Sequence, residues 1–241
     1  MSNEQRISLR FFETILHPCS YLPGQRAKTV VADPSYPMTA HLYGVLAAYG
    51  FRRSGDNIYR PACPDCNACV PVRIPVARFK PKRSQRRVAR KNADLSVQVL
   101  PAQYHEQHFN LYRRYQRARH GDGEMARHTP DDYIGFLMSD WCKTTLAEMR
   151  LDDELLAVAV LDELRDGLSA VYTFFEPSYS QRSLGVHAIL WAIDEVQRRN
   201  GHWLYLGYWI GECEKMAYKN EYLPQERLRD GQWMEWNGPA R

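Results

Sequence analysis

Three apolar runs joined by very short turns limit the fold of this chain more than any other feature. Thr144 to Arg150, Glu154 to Leu161 and Leu168 to Phe175 are strand-like, and Leu151-Asp152-Asp153 and Arg165-Asp166-Gly167 connect them. Connections of that length only suit antiparallel neighbours. A helix follows: after Gln181-Arg182-Ser183-Leu184-Gly185, the residues Val186, Ile189, Leu190, Ile193 and Val196 share one face. His202 to Ile210 predicts a further strand, and Glu214 to Tyr222 a helix that Pro224 closes. The order strand-strand-strand-loop-helix-strand-helix gives an α/β (α+β) class with a mixed, mainly antiparallel sheet.

The first hundred residues are organised differently. Turn signals crowd them, at His17-Pro18, Leu22-Pro23-Gly24, Asp33-Pro34, Tyr36-Pro37 and Ser54-Gly55-Asp56. One helix stands out, capped by Thr39, carrying Leu42, Val45, Leu46 and Tyr49 on one side and ended by Gly50. Phe51-Arg52-Arg53 and Asn57-Ile58-Tyr59-Arg60 predict a hairpin. Further on, Leu95 to Leu100 alternates like a strand and Tyr104 to Arg119 is helical in pattern. Thr129-Pro130-Asp131-Asp132 then starts another helix. The expected division is a smaller cysteine-bearing α+β domain over 1–95 and a larger domain over 96–241. With 44% hydrophobic and 25% charged residues the chain has an ordinary globular balance. Its longest apolar run, Leu155 to Leu161, is far short of the roughly 20 residues that cross a bilayer. Glu4, Arg6, Arg10 and Glu13 interrupt any signal-peptide core. The expectation is a cytoplasmic protein without a membrane partner.

The net charge of +4 is unevenly placed. Between Asp65 and Asp94 there are nine basic residues and no acid, and the rest of the chain is net −5. Lys82 precedes a basic helix on which Arg83, Arg86, Arg87, Arg90 and Lys91 share a face. A solvated helix face normally mixes signs to gain i, i+4 pairs. This one has no such partners, so a polyanion is expected against it, and nucleic-acid phosphates fit best.

Three of the six cysteines, Cys63, Cys66 and Cys69, form a C-x2-C-x2-C cluster. With Cys19 from another turn-rich segment they make up four candidate ligands for zinc or an iron–sulfur cluster. The alternative is that some are buried free thiols behaving as small apolar side chains. Cys142 and Cys213, among apolar neighbours, read as structural. No nucleophile elbow, P-loop or histidine ligand spacing is present.

The C-terminal element order resembles the GNAT (N-acetyltransferase-like) fold, in which a Q/R-x-x-G-x-G/A turn opens a helix toward pyrophosphate. Arg182 to Val186 matches only the first half, and His187 stands where a small residue belongs. Longer motifs are more specific: PCSYLP (18–23), Tyr59-Arg60-Pro61 with CPDCNACVPVR (63–73), FKPKRSQRR (79–87), YLGYWI (205–210) and K-M-A-Y-K-x-x-Y-x-P-x-E (215–226). With these the chain resembles the aminoacyl-tRNA–protein transferases, nearest to the bacterial aspartate/glutamate leucyltransferases, over almost its whole length. The resemblance implies a GNAT-like C-terminal domain. It also implies transfer of leucine from leucyl-tRNA to proteins with N-terminal Asp or Glu, which tags them for degradation. The eukaryotic arginyl enzymes carry C-x-x-C in their first motif, where Leu22 follows Cys19 here. By the same resemblance the donor cleft falls to Tyr172, Phe174, Arg182, Gly185, Tyr208 and Trp209. Arg78, Lys215 and Lys219 are candidates for the acceptor carboxylate, and the basic helix is the tRNA contact. Three rival readings are an arginyl-tRNA–protein transferase, an acetyl-coenzyme A-dependent acetyltransferase and a zinc-containing RNA-binding module.

Overall fold

The computed structural model describes residues 8–121 and 123–238. Its N-terminal part is built on β1 (Phe11–Glu13), β4 (Thr29–Ala32), β5 (Arg52–Ser54) and β6 (Asn57–Pro61), an antiparallel sheet in the order β1-β4-β6-β5. A separate two-residue ladder joins β2 (His17–Pro18) to β3 (Arg26–Ala27). Helix α1 (Ala40–Ala48) starts where expected, with Thr39 Oγ1 accepting from the Leu42 N–H at 3.2 Å. Gly50 leaves it at φ +84°, a left-handed angle that glycine adopts without strain. Tyr43, Leu46, Phe51 and Ile58 bury this part's own core together with Cys142, which behaves as the small apolar residue expected.

The larger sheet has eight strands in the order β14-β13-β7-β12-β11-β10-β9-β8. In chain order these are β7 (Val70–Pro75), β8 (Ser96–Pro101), β9 (Thr144–Leu151), β10 (Glu154–Leu164), β11 (Gly167–Phe175), β12 (Trp203–Trp209), β13 (Gln225–Arg229) and β14 (Gln232–Trp236). The helices are α2 (Arg83–Lys91), α3 (Glu106–His120), α4 (Pro130–Leu137), α5 (Leu184–Arg198) and the short α6 (Glu214–Ala217). Strand alternation decides which helix each residue meets. Ala157 and Ala159 pack with Leu184, Ala188, Ile193 and Val196 of α5. Val158, Val160 and Phe174 face the other way, onto Phe109, Tyr112, Tyr133 and Leu137 of α3 and α4. Among the described residues no helix is long and apolar enough to cross a membrane.

Two features of the sheet differ from the sequence reading. Strand β7, with a proline at each of positions 71 and 75, lies between β12 and β13. Proline donates no ladder bond and is normally kept out of central strands. Here β13 pairs with β7 only at Val72 and Arg73, so both prolines lie outside that register. The N-terminal sheet ends at Pro61, and the chain enters the large sheet at Val70. The second feature is the hairpin of β13 and β14, which no alternation in the sequence announced.

One buried ion pair joins the two parts. Arg53 of β5 reaches Asp162 of β10 through Nε at 2.7 Å and Nη2 at 2.5 Å, and both side chains are fully buried. Further polar groups surround the pair: Arg53 Nη1 donates to Gly55 O at 3.2 Å, Leu137 O and Thr144 Oγ1 lie within hydrogen-bond distance of Nη2, and Thr144 Oγ1 donates to Asp162. The hairpin approaches α4 closely at Gly55, where a Cβ would sit 1.9 Å from Gly135 O. Removing one member of such a pair strands a buried charge, whereas replacing both by apolar groups is often tolerated. Asp162→Asn is expected to lower stability by about 3–5 kcal/mol in urea unfolding, and Arg53→Met with Asp162→Leu to recover much of that loss.

Candidate functional site

All neighbouring strands of the large sheet run antiparallel except β11 and β12. That parallel pair is short: Gly167–Ser169 is in register with Trp203–Tyr205, and beyond those residues the two strands part. A parallel pair that opens toward its C-terminal end creates a cleft with main chain on both sides, the arrangement expected of a GNAT-like domain. Aromatic rings line it. The Tyr115 ring of α3 lies 4.9 Å from that of Phe175, 6.4 Å from Tyr172 and 5.8 Å from His120. Gln116 Nε2 donates to the Tyr172 hydroxyl at 2.8 Å and fixes its tilt. Tyr218, 45% exposed, completes the wall, and burial raises the phenol pKa of Tyr115 and Tyr172 above the ordinary value.

The floor of this cleft is positively charged. Arg52 comes from the N-terminal hairpin, and successive strand residues point to opposite faces. While Arg53 turns to Asp162, Arg52 inserts where β11 and β12 part. Its Nη1 donates to Ser169 Oγ at 2.9 Å and its Nη2 to Ala170 O at 2.6 Å. Gly207 of β12, at φ +76°, lets the strand close on the guanidinium, since a Cβ there would be 3.4 Å from Nε. Lys219 approaches from the turn after α6. It is 4% exposed, and its Nζ donates to Tyr208 O and contacts Met216 Sδ at 3.5 Å. Burial first, and then the Arg52 charge, lower its pKa to about 7. Among the described residues no carboxylate forms an ion pair with either Arg52 or Lys219, although Arg53, Arg73 and Arg78 nearby in sequence all have one.

The structure sorts the expected site residues. Tyr172 lies at the cleft, against Tyr115 and Gln116. Phe174 does not: it is fully buried against Tyr112 and Tyr133 and belongs to the core under α3 and α4. Tyr208 is also buried, and its hydroxyl donates to Gly50 O at 2.9 Å, tying β12 to the N-terminal part. Trp209 points to the opposite face, where the Arg227 guanidinium is stacked 3.9 Å from it and 4.2 Å from Trp236. Gly185 serves packing, because a Cβ would meet the Phe175 ring at 3.2 Å. Arg182 is held by Asp94 at 2.8 and 2.9 Å, so it does not point into an open phosphate turn. Of the acceptor candidates, Arg78 is paired with Glu226 at 3.2 Å and with Glu235. Lys215 is exposed, 3.3 Å from His120 Nδ1. Only Lys219 is buried at the cleft. Arg52, Tyr115, Phe175 and Tyr218 were missed. For Arg52 a signal existed, since two consecutive arginines on a strand beside Phe51 cannot both reach solvent if the strand is covered.

Helix α2 forms as expected, with Arg83, Arg86, Arg87, Arg90 and Lys91 exposed. Lys82 pairs with Glu221 at 2.8 Å, while Lys91 and Arg86 donate to the main-chain oxygens of Gln181 and Pro81. Arg83, Arg87 and Arg90 have no ion-pair partner among the described residues. The four cysteines Cys19, Cys63, Cys66 and Cys69 line one open cavity of about 380 Å³. Burial, and then the other three cysteines, push the Cys69 thiol up to about 12. The sulfur donors suit zinc or an iron–sulfur cluster in type. Yet among the described residues no three His, Cys, Asp or Glu side chains meet closely enough to hold a metal ion. The arrangement present is one of neighbouring thiols rather than a ligand sphere.

Known proteins resemble the chain along almost all of it. The family model described as arginine-tRNA-protein transferase, N terminus, matches residues 17–87, and that described as its C terminus matches residues 107–229. An aspartate/glutamate leucyltransferase of Pseudomonas entomophila is 51% identical over 229 residues, covering 95% of this chain and 97% of its own. One from Alcanivorax borkumensis is 48% identical over 232 residues, 96% of each. Among solved structures, that of L-PGS from Bacillus licheniformis is similar over 59% of this chain and 47% of its own, with 9% identity and a TM-score of 0.47.

The position of Lys219 has a consequence for stability. A lysine with its folded pKa near 7 and an unfolded value of 10.5 binds fewer protons in the native state between those pH values. Stability therefore rises with pH across that window and is at its lowest below it. Lys219→Met is expected to remove this rise, which urea unfolding at pH 6.5, 8 and 9.5 measures directly.

Proposed function

The chain belongs to the aminoacyl-tRNA–protein transferase family, and on that premise we propose that it moves leucine from leucyl-tRNA to the α-amine of proteins beginning with Asp or Glu. It is an aminoacyltransferase that acts on aminoacyl-tRNA and protein substrates, and the proposal includes a cytoplasmic location, where the added leucine would mark its acceptors for degradation. The observation that supports this reading best is the cleft between β11 and β12, aromatic on its walls and positive on its floor.

The chemistry asks little of a nucleophile. The ester to tRNA is already activated, so a neutral α-amine attacks its carbonyl directly. A C–N bond forms, the C–O bond to the terminal ribose breaks, and the amine proton ends on the departing ribose oxygen. Holding the two substrates together and excluding water supply most of such a rate enhancement. Tyr115, Tyr172, Phe175 and Tyr218 offer faces for the terminal adenosine and for an apolar aminoacyl side chain. Buried Lys219 is the cation for the acceptor. An arginyl donor would need a carboxylate free to take its side chain, and the one beside the aromatic wall is occupied. Glu176, beside Phe175, is already held by Arg114 at 2.8 Å. Arg182 tied to Asp94, together with His187, disfavours a coenzyme A pyrophosphate at the start of α5.

The tRNA would lie along α2, whose open charges Arg83, Arg87 and Arg90 fit backbone phosphates. Transfer assays with leucyl-tRNA and arginyl-tRNA, using peptides that begin with Asp, Glu or Ala, test the whole reading. Leucine is expected on the two acidic peptides only. Arginine transfer at a comparable rate would overturn the donor assignment. For the tRNA contact, Arg87→Glu with Arg90→Glu is expected to weaken binding and to flatten log K against log salt by roughly 2 in slope. An unchanged slope would mean that α2 faces only solvent.

A further inference from the structure

A buried charge without a partner is costly, and chains rarely keep one unless something compensates it. The floor of the cleft holds two, Arg52 at 9% and Lys219 at 4% exposure, brought together at adjacent residues of β12: the Arg52 guanidinium lies against Gly207 and Lys219 Nζ donates to Tyr208 O. Arg52 is also prearranged. Two of the five guanidinium N–H groups are used, on Ser169 Oγ and Ala170 O, and both acceptors belong to the strand that borders the cleft. The plane of the guanidinium is thereby fixed between β11 and Gly207 of β12, and among the described residues no acceptor engages its other three N–H groups. A fixed, planar donor set next to a second cation suits a carboxylate, and an anion there would relieve the repulsion between the pair.

Resting on the transferase reading above, we infer that Arg52, with Lys219 beside it, selects the acceptor by taking the side-chain carboxylate of its N-terminal Asp or Glu. The residue comes from the N-terminal hairpin, so that part of the chain supplies acceptor specificity to a cleft whose walls belong to the larger sheet. Arg52 sits where the strands part, so a carboxylate on it places the α-amine one or two methylenes higher, toward the open end where the ester would lie. An acceptor with a neutral side chain would leave both cations uncompensated, and a site built for a polar group rejects an analogue that lacks it.

The experiment compares kcat/KM for leucine transfer to matched peptides that begin with Asp or with its neutral isostere Asn, in the wild type, Arg52→Gln and Lys219→Met. The Asp-to-Asn ratio is expected to fall at least tenfold in each variant, through KM for the Asp peptide, while KM for leucyl-tRNA stays within about twofold. An unchanged ratio in either variant overturns the inference, including when both rates drop together, which is what a purely structural role would produce. Should Arg52→Gln fail to fold, Arg52→Lys keeps the charge but not the planar fork and must still lower the ratio severalfold; no change there overturns it equally. A wild-type protein that leucylates neither peptide would instead remove the transferase reading, and the inference with it.

Discussion

Two consecutive arginines on one short strand hold this molecule together and give it its cleft. In β5 the side chains of Arg52 and Arg53 leave the backbone in opposite directions, as strand geometry demands. Arg53 closes a fully buried pair with Asp162 of β10, while Arg52 enters the opening between β11 and β12. The same two-residue step therefore anchors the N-terminal sheet to the larger one and delivers a cation to its cleft. A buried ion pair and a buried cation without a carboxylate come from neighbouring positions, so a change in the hairpin register would lose both at once.

The site also depends on one irregularity in an otherwise antiparallel sheet. The crossover through α5 makes β12 parallel to β11, and a three-residue register is all they share. Strand β7 holds β12 on its other side, over Val70 to Pro75, so β12 cannot swing back to close the gap. Tyr208 adds a second restraint by bonding to Gly50 O. The opening is thus kept by pairing elsewhere, and aromatic side chains from α3 and β11 are free to line it rather than to fill it.

Positive charge has two separate uses in this chain. On α2 it is exposed, screened by salt and spread over several residues, which suits a repeating polyanion met from solution. In the cleft it is buried, fixed and confined to two groups, which suits one carboxylate at one place. Arg227, between Trp209 and Trp236, shows a third solution, in which two indole faces stand in for an acid. Arg73 follows the ordinary pattern by pairing with Glu226 while stacking on Trp203 and Trp233.

The sequence by itself determined the element order of the C-terminal half, the capped starts of α1 and α4, the basic face of α2 and the close spacing of Cys63, Cys66 and Cys69. Each of these is written in local spacing, through alternation, helical period, a capping residue or a turn. The long motifs also carried the family, because several unusual segments stand in the right order. Only the tertiary structure decided which charged and aromatic residues serve the cleft. Phe174 and Phe175 are equivalent in composition, yet alternation sends one into the core and the other to the wall. Arg78, Lys215 and Lys219 are equally plausible as isolated cations. Two find partners at the surface, and one is buried without an acid. Strand β7 was hidden by its prolines, whose missing N–H groups matter only once the register with β13 is known. Burial and pairing are properties of residues far apart in sequence, 117 positions in the case of Arg52 and Ser169, and no local pattern encodes them.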